Sequence, residues 1–521
     1  MTEAMLAALL AAQIAMGAFD TLFHHEFTER LAWRASAAKE LRLHSVRNGF
    51  YAVLFLLAAW SEPRGALALL ILGVLAVELV ITLWDFVEED LSRRLPATER
   101  VTHTLLAVNY GAILAFVVPL LWDWSAMPAG LAGVSRGYLS WLLTLAAIGV
   151  DVFGLRDWFA SVRAPRLAPA PAAPLAAALA DRRQRVLVTG ATGFIGSRLV
   201  AALAGAGHDV VVLVRSRDKA AALSTPLMVV TSLDQIPRDA RIDAIVNLAG
   251  SPVADAPWTR RNRHRILRSR LKTGLAVERL IARLETKPAV LVAGSAIGVY
   301  GEGGDDQLTE ADRTPVGLQL PTSNRPGGTK THGFAHRSCA AVETAAYRVR
   351  RLGVRVVALR TGLVLDHSGG MLARMLPAFD LCGGGRIGSG RQWMSWISRD
   401  DLVRLIIHAI ANDDIDGALN GTAPAPVRNS EFTAALGRAL GRPALFIIPA
   451  WPLEFVLREM GEEILLASQR VLPAKALGTG FVFRHPTLDL GLAAAVGAPT
   501  PVPTAATPAP LARATLASAA E

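Results

Sequence analysis

Three glycines spaced three residues apart, Gly190, Gly193 and Gly196, stand between an apolar run and a helical pattern. In a nucleotide site the first glycine lets the chain turn sharply, the second leaves room for a pyrophosphate, and the third lets the helix pack on the strand. The free N–H groups and the dipole of the helix N-terminus favour the anion. Tight turns also select glycine, but the flanking strand and helix predict a dinucleotide site. Its residues are Gly190, Thr192, Gly193, Phe194, Ile195 and Gly196.

The residues that close the second predicted strand indicate which cofactor fits. An acidic side chain there would accept the ribose hydroxyls of NAD, but this chain has Arg215 and Arg217. Arginine can pair with a ribose 2′-phosphate, so the sequence predicts NADP(H) in preference to NAD(H). The alternative is a pair of solvated surface arginines.

A second set of chemically active side chains interrupts the apolar stretches before residue 165. An ionised group at mid-bilayer costs about 2.5–3.5 kcal/mol on insertion scales, so Glu78 should face a partner or a cavity. Imidazoles and carboxylates on neighbouring helices can ligate a metal or a haem, and the hypothesis is that they hold a redox centre or a quinone-like substrate. The alternative is interfacial hydrogen bonds and caps. The candidates are His24, His25, Glu26, His44, Glu78, Asp85 and His103, with Asp20 beside the first of them.

The elements that must position these groups fall into two unlike halves. At 521 residues the chain is too long for one core. Before residue 165 the apolar stretches have bilayer length, which predicts an all-α transmembrane bundle, and after it they have strand length. The predicted spans are 5–23, 46–60, 65–84, 102–122 and 137–155.

Charge and flanking residues predict where the chain resides. Basic residues concentrate in the loops 30–47 and 93–100, which places the second half in the cytoplasm by the positive-inside rule. The sequence therefore predicts a multi-pass protein of the cytoplasmic (inner) membrane, with the lipid bilayer as partner. The net charge of +10 is spread along helices without a zinc-finger or RNA-binding signature, so no nucleic-acid partner is expected. Two cysteines argue against a disulfide framework. Nothing in the sequence indicates an oligomeric state.

The second half alternates strands with helices, which predicts a doubly wound parallel α/β sheet with its ligand at the carboxyl ends of the strands. The predicted strands are 185–189, 209–215, 227–231, 243–248, 289–293 and 355–359, and the main helices are 259–284 and 334–352. The predicted domains are 1–162 (membrane), 163–182 (Pro/Ala-rich linker), 183–419 (Rossmann, NADP-binding), 420–492 (a small C-terminal α/β domain that closes the substrate site) and 493–521 (a disordered tail).

Motifs along this half resemble those of a known family. The runs 189–196, 243–250 and 295–301 resemble the extended and atypical short-chain dehydrogenase/reductases. The runs 360–365, 383–390, 391–396, 420–426, 469–473 and 480–486 are similar to the epimerase-like branch of NAD(P)-dependent oxidoreductases, which ends in a small C-terminal domain. The resemblance implies that further residues line the cofactor, on the adenosine side and beside the nicotinamide. They are Leu248, Ala249, Gly250, Ala293, Thr361, Gly362 and Leu363.

The chain departs from this family at its acid/base pair. No tyrosine has a lysine four residues later, and the family's tyrosine and lysine places fall at Ala335 and Cys339. Ser295 and Tyr300 are the catalytic candidates, and Lys330, His332 and His336 lie nearby in sequence. The stretch 303–331 is rich in Gly and Pro and is typical of a lid. The predicted substrate surface, for which core packing is the alternative, comprises Trp258, Gln392, Met394 and Trp396.

These features together predict a membrane-anchored NADP(H)-dependent oxidoreductase. Its small-molecule substrate is expected to be a lipophilic carbonyl or quinone-like compound. Two alternatives stay open because the acid/base pair is missing: a catalytically inactive NADP(H) sensor that regulates the membrane domain, and a nucleotide-sugar-type epimerase that retains its nicotinamide.

Overall fold

A computed structural model describes residues 2–93, 95–221, 223, 227–312 and 333–500. The chain forms two compact units, Met1–Ala170 and Pro171–Glu521, and each is described by itself. The first contains α1 (Thr2–Phe19), α2 (Ala38–Trp60), β1 (Ser61–Arg64), α3 (Ala66–Ser92), α4 (Ala97–Ser125), β2 (Gly130–Gly133) and α5 (Tyr138–Arg163). A π-helical segment, Asp20–Thr28, continues α1, and short 3₁₀ turns cover Leu31–Trp33, Ala35–Ala37 and Ala164–Leu167.

Four segments of the first unit are long and apolar enough to cross a membrane: Ala4–Trp33, Ala66–Ser92, Ala97–Ser125 and Tyr138–Leu167. The predicted span 46–60 falls within α2, which is not among them. The first turns of α2 carry Lys39, Arg42 and Arg47, and these charges lower its apolar character. Instead α2 packs along α5, where Gly154 lets the backbones approach beside Asn48.

The second unit begins with a 3₁₀ helix, Ala173–Leu179, inside the segment predicted as a linker. Its Leu175, Ala176 and Leu179 are buried in the core beside the helices Phe194–Gly205 and Arg399–Ala411. The prediction of a free linker is corrected over these residues because their apolar side chains find a core to pack into. At the other end, the helix Leu488–Val496 buries Ala493, Ala495 and Val496, so order extends past residue 492. Residues 501–521 of the predicted tail lie outside the described residues.

The elements of the second unit alternate along the chain. They are β3 (Arg185–Thr189), α6 (Phe194–Gly205), β4 (Asp209–Leu213), β5 (Met228–Val230), β6 (Ala244–Asn247), α7 (Arg260–Arg283), β7 (Val290–Ala296), β8 (Gln307–Leu308), α8 (Phe334–Tyr347), β9 (Arg355–Thr361), β10 (Leu363–Leu365), α9 (Gly370–Asp380), β11 (Gly385–Ile387), β12 (Trp393–Met394), β13 (Trp396–Ser398), α10 (Arg399–Ala411), β14 (Gly417–Gly421), β15 (Val427–Arg428), α11 (Asn429–Leu440), β16 (Phe446–Ile448), α12 (Ala450–Leu457), α13 (Glu459–Gly461), β17 (Arg470–Val471), α14 (Ala474–Gly478) and α15 (Leu488–Val496).

Seven of these strands form one parallel sheet in the order β14-β9-β7-β6-β3-β4-β5. The strand order reverses between β3 and β6, and this switch point opens a crevice at their carboxyl ends. The prediction of a doubly wound parallel sheet is confirmed, with all six predicted strands in it. The edge strand β14 was not predicted because its sequence, Gly-Ala-Leu-Asn-Gly, is poor in the β-branched residues that mark strands.

Candidate active site

The turn between β3 and α6 leaves room for the phosphates of a bound nucleotide to approach its backbone. Gly190 has a φ of +70°, and a Cβ there would lie 2.8 Å from the backbone of Leu248. A Cβ on Gly196 would lie 2.2 Å from the carbonyl oxygen of Gly190. Gly193 caps the first turn of α6, and its N–H donates to Gly190 O at 2.9 Å. The glycines therefore permit a turn that side chains would block, and it ends on a helix N-terminus.

Side chains from β10 to α10 fix the first turns of α6. The Arg198 guanidinium makes two hydrogen bonds to the Asp400 carboxylate, at 2.7 and 2.9 Å. The ring of Phe194 occupies the space in front of Gly369, where a Cβ would lie 2.5 Å from it, and Arg399 lies over its face. These contacts hold the anion-binding end of the helix in place.

The ends of β3 and β6 are joined at the switch point. Thr189 donates from Oγ1 to Asn247 Oδ1 at 2.6 Å and accepts from the N–H of Ala249 at 3.2 Å. Gly250 comes next, where a Cβ would lie 3.0 Å from the Arg270 side chain. The residues predicted to line the adenosine side thus lie just past the carboxyl end of β6, which pairs with β3 at the crevice.

The two arginines predicted to read a 2′-phosphate lie just past β4 and are exposed. Neither Arg215 nor Arg217 makes a side-chain ion pair in the part of the chain that the structure describes. A guanidinium without a protein partner at this strand end is available to a phosphate.

On the other side of the switch point, β7 and β9 carry the residues predicted to border the nicotinamide. Ala293 pairs with Ala358 in register, and Thr361 ends β9 opposite Ala296. A Cβ on Gly362 would lie 2.6 Å from Ser395 O. The backbone at this strand end therefore lies tightly against the chain at Ser395, between β12 and β13.

The two catalytic candidates are tied to one buried ion pair. Arg360 and Glu343 are almost fully buried, and the guanidinium donates twice to the carboxylate, at 3.0 and 2.9 Å. Ser295 Oγ donates to Glu343 Oε1 at 2.7 Å, and Tyr300 OH accepts from Arg360 at 2.9 Å. Burial raises the pKa of Tyr300. Both hydroxyls therefore bond to the buried ion pair that joins β9 to α8.

The places of the family's tyrosine and lysine lie on α8. Ala335 offers no titratable group, and burial together with the Glu343 carboxylate raises the pKa of the Cys339 thiol to about 11. His336 is buried on the same helix. Lys330 and His332, and the stretch 313–331 of the predicted lid, lie outside the described residues. The structure thus gives the two family positions, 335 and 339, no ordinary acid or base.

A carboxylate from the C-terminal segment occupies the first turn of α8. Glu463 accepts the N–H of Phe334 and that of Ala335, each at 2.8 Å. Glu459 accepts the same Phe334 N–H at 3.0 Å and pairs with Arg263. Burial and the neighbouring Glu459 raise the pKa of Glu463, against the opposing effect of the two N–H groups.

Sequence reasoning missed Glu463 because it searched for a proton donor only near α8 in sequence. The signal that was available is the pair of acids four residues apart, Glu459 and Glu463, in a segment that also carries Arg458 and Glu462. Gly333 leaves the room that the carboxylate fills, since a Cβ there would lie 2.0 Å from Glu463 Oε1.

The predicted substrate residues divide into two groups. Trp258 packs edge-on against Phe334 in a small core, and Trp396 is fully buried with its Nε1 bonded to Ala425 O at 2.9 Å. The structure places both indoles in the core, because each finds apolar neighbours and a carbonyl partner there. Gln392 donates to Ile387 O, and Met394 Sδ accepts from Asn429, near the segment that carries Glu463.

The polar residues of the first unit are also distributed unevenly. His25, His44, Asp85 and His103 meet in one buried cluster together with Asp20 and Glu89. Of the remaining candidates, His24 lies next to this cluster and bonds to Asp20 Oδ1. Glu26 and Glu78 lie outside it: Glu26 pairs with Arg156, and Glu78 accepts from Thr82 and Tyr110.

A parallel doubly wound sheet with a glycine turn at its switch point defines a dinucleotide-binding protein of the NAD(P) class. Residues 186–420 match the NAD dependent epimerase/dehydratase family, and residues 448–495 match a domain of unknown function, DUF1731. Neither match reaches the first unit. The Epimerase family protein Mb2239 of Mycobacterium bovis is 37% identical over 316 residues, which are 60% of this chain and 98% of the relative. YfhF of Bacillus subtilis is 31% identical over 309 residues, 59% of this chain and 96% of the relative.

The chain therefore belongs to the NAD dependent epimerase/dehydratase family, within the branch of epimerase family proteins that end in DUF1731. A solved structure supports this placement. The human epimerase family protein SDR39U1 with NADPH is 28% identical, with a TM-score of 0.51, covering 60% of this chain and 99% of that one. The resemblance to atypical short-chain dehydrogenase/reductases is thus confirmed.

Proposed function

We propose that this protein is an NADP(H)-dependent oxidoreductase anchored in the cytoplasmic membrane, with its nucleotide-binding unit in the cytoplasm. The observation that carries the cofactor choice is Arg215, which lies just past β4 without a side-chain ion pair among the described residues, beside a glycine turn shaped for a pyrophosphate. The solved human relative, whose structure contains NADPH, supports it. Bound there, the cofactor supplies or accepts a hydride; Arg215 and Arg217 hold its 2′-phosphate and the first turn of α6 holds its pyrophosphate.

Glu463 takes the role of the missing tyrosine. Its carboxyl group lies on the backbone of Ala335, the place from which the family's phenol acts. The pKa of this carboxyl group is raised, which favours its protonated form, and the protonated group can donate to a carbonyl oxygen of the substrate. In the oxidative direction the same carboxylate would take the proton back.

The substrate is a lipophilic carbonyl or quinone-like compound. The segment that leads into Glu463 exposes a continuous group of large apolar side chains, which in a soluble monomer marks an interaction surface. We propose that this apolar patch contacts the lipid bilayer, since a chain held by four apolar helices works beside lipid. The apolar patch consists of Leu445, Phe446, Ile447, Trp451, Phe455 and Val456.

The cofactor proposal is tested by calorimetric titration of the full chain in detergent with NADPH and with NADH. Arg215→Asp should weaken NADPH binding roughly 10- to 100-fold, because a charged hydrogen bond contributes about 1.5–3 kcal/mol, and should leave NADH binding nearly unchanged. Arg279→Asp makes the same charge change at another exposed site and should alter neither. Equal loss of both nucleotides in Arg215→Asp would contradict the assignment.

The reaction class is tested by incubating the full chain with NADPH and a lipid extract of membranes. Net NADPH oxidation supports the oxidoreductase. Conversion of a compound without net NADPH loss would instead indicate an epimerase. Tight binding without any turnover would indicate a sensor, a role that agrees with the absence of the family's tyrosine and lysine at positions 335 and 339.

A further inference from the structure

Three imidazoles and two carboxylates from four helical segments meet inside the first unit. Asp20 and His25 lie on the π-helical segment, His44 on α2, Glu89 on α3 and His103 on α4. They form two groups, Asp20–His25–His103 and His25–His44–Glu89, and within each group the nearest ligand atoms are all within 4.8 Å of one another. His25 belongs to both groups. We call these five residues the His25 cluster.

The rings and carboxylates of the His25 cluster are already in mutual contact. The His25 and His44 rings stack with centroids 4.8 Å apart and planes 2° from parallel. His44 Nε2 lies 3.4 Å from Glu89 Oε1, and His103 lies 3.2 Å from Glu89 Oε2 and 3.1 Å from Asp20 Oδ2. His25 Nε2 lies 3.4 Å from Asp20 Oδ2, yet makes no hydrogen bond to any residue that the structure describes.

The charges around the cluster are unequally balanced. Asp85 is paired with Arg47 at 2.6 Å, and Glu99 is paired with Arg93 at 2.7 Å. Asp20 and Glu89, in contrast, have only imidazoles within ion-pair distance among the described residues. Two buried carboxylates require two compensating positive charges. One divalent cation held by neutral imidazoles supplies both.

We propose that the His25 cluster binds one divalent first-row transition metal ion. Mixed imidazole nitrogen and carboxylate oxygen ligands suit Zn²⁺, Fe²⁺ and Mn²⁺. His25 is the central ligand because it alone belongs to both groups. Outside the ligand set, His24 Nδ1 lies 2.8 Å from Asp20 Oδ1, as the outer partner of a carboxylate ligand does.

The proposed ion faces a cavity. Asp20, His25, His44 and His103 line one part of a cavity of about 1230 Å³ whose other walls are mostly apolar side chains of α1, α2, α4 and α5. A metal there would therefore be reachable by an apolar molecule with a polar end, which is the usual arrangement of a site built in a helix bundle.

The test uses the full chain in detergent, stripped with a chelator and titrated with Co²⁺, whose visible d–d absorption reports imidazole and carboxylate ligation. The wild type should bind one Co²⁺ per chain with such a spectrum and release it to Zn²⁺. His25→Asn and Glu89→Gln should each weaken binding at least tenfold. His208→Asn is the matched control, since His208 is also a buried histidine but lies in the second unit and belongs to neither group.

Failure of the wild type to bind Co²⁺ or Zn²⁺ would overturn the proposal and leave the cluster as a network of protonated imidazoles and carboxylates. This outcome requires no variant, so misfolding cannot obscure it. Equal binding by wild type, His25→Asn and Glu89→Gln would also overturn it, because the ion would then lie elsewhere. Size-exclusion elution and helical circular dichroism of each variant show that the bundle is intact.

Discussion

At the scale of single residues, the carboxyl group of Glu463 lies at the start of α8, where the family resemblance places a tyrosine. Glu463 contacts the backbone of Ala335, and burial next to Glu459 raises its pKa. The two N–H groups of α8 favour the ionised form of Glu463, whereas desolvation and the like charge of Glu459 favour the protonated form. A group poised in this way can change protonation during a reaction.

Glu463→Gln should lower the rate of NADPH-dependent carbonyl reduction by roughly 10²–10⁴-fold, the range contributed by a positioned acid. Because the folded pKa is raised and the protonated form is the donor, the wild-type rate should be highest at low pH and fall as pH rises through that pKa. The variant should lose this fall. NADPH binding should be retained, and the neighbouring exposed acid serves as control in Glu462→Gln. A wild-type pH profile in Glu463→Gln would contradict the role.

Gly196→Ala tests the nucleotide turn. The added Cβ would lie 2.2 Å from Gly190 O, so the turn must shift. Such overpacking typically costs about 1–3 kcal/mol, and we expect a lower Tm and a Kd for NADPH raised at least tenfold. Gly274→Ala, where a Cβ meets nothing within 4 Å on α7, should leave the NADPH affinity unchanged and raise the Tm slightly, because alanine favours a helix interior over glycine. Unaltered NADPH affinity in Gly196→Ala would show that the turn does not hold the cofactor.

At the scale of elements, the site depends on how α6 is fixed to its neighbours. The Arg198–Asp400 pair joins the first turns of α6 to the start of α10. Arg198 is buried, whereas the Asp400 side chain is 25% exposed, so solvent reduces the contribution of the pair.

A double-mutant cycle with Arg198→Met and Asp400→Asn measures this link. We expect each single variant to lower the free energy of unfolding by about 1–3 kcal/mol, and a coupling energy of at least 0.5 kcal/mol. NADPH affinity should fall with the coupling, because the helix end that holds the pyrophosphate is no longer fixed. Additive effects would mean that the two residues act independently.

Much of this fold follows from local patterns. The strands β3 to β7 and β9 are short apolar runs next to amphipathic helices, and this periodicity predicted the sheet. The contact between Glu463 and the start of α8 was not predictable in the same way, because the two are far apart in sequence and meet only in the folded chain. Trp258 and Trp396 show the reverse error, since an aromatic ring in sequence has the same appearance whether it faces a ligand or a core. The sequence predicted five spans, and four described segments are long and apolar enough to cross a membrane. The difference is α2, whose charged residues lower its apolar character.

At the scale of the whole molecule, two units with different surfaces belong to one chain. The first carries four helices long and apolar enough to cross a membrane, and the second carries the dinucleotide fold and the apolar patch. The M. bovis and human relatives match the second unit over nearly their whole length. The first unit is therefore an addition to a fold that exists without it.

Replacing Trp451 and Phe455 with Ser tests whether the apolar patch serves a lipid-dissolved substrate. Both side chains are at least 70% exposed, so the Tm should change little. Turnover of a membrane-extract substrate in proteoliposomes should fall several-fold, whereas NADPH affinity should not change. Leu477→Ser, an exposed apolar residue outside the patch, should have no effect on turnover. Equal turnover by the double variant would remove the patch from substrate access.

The acidic cap on α8 comes from a carboxylate 128 residues further along the chain. During synthesis the glycine turn and most of the sheet leave the ribosome well before that carboxylate does. Under the proposed function, a chain whose synthesis stops before residue 463 would keep the glycine turn but lack the carboxyl group proposed as its proton donor.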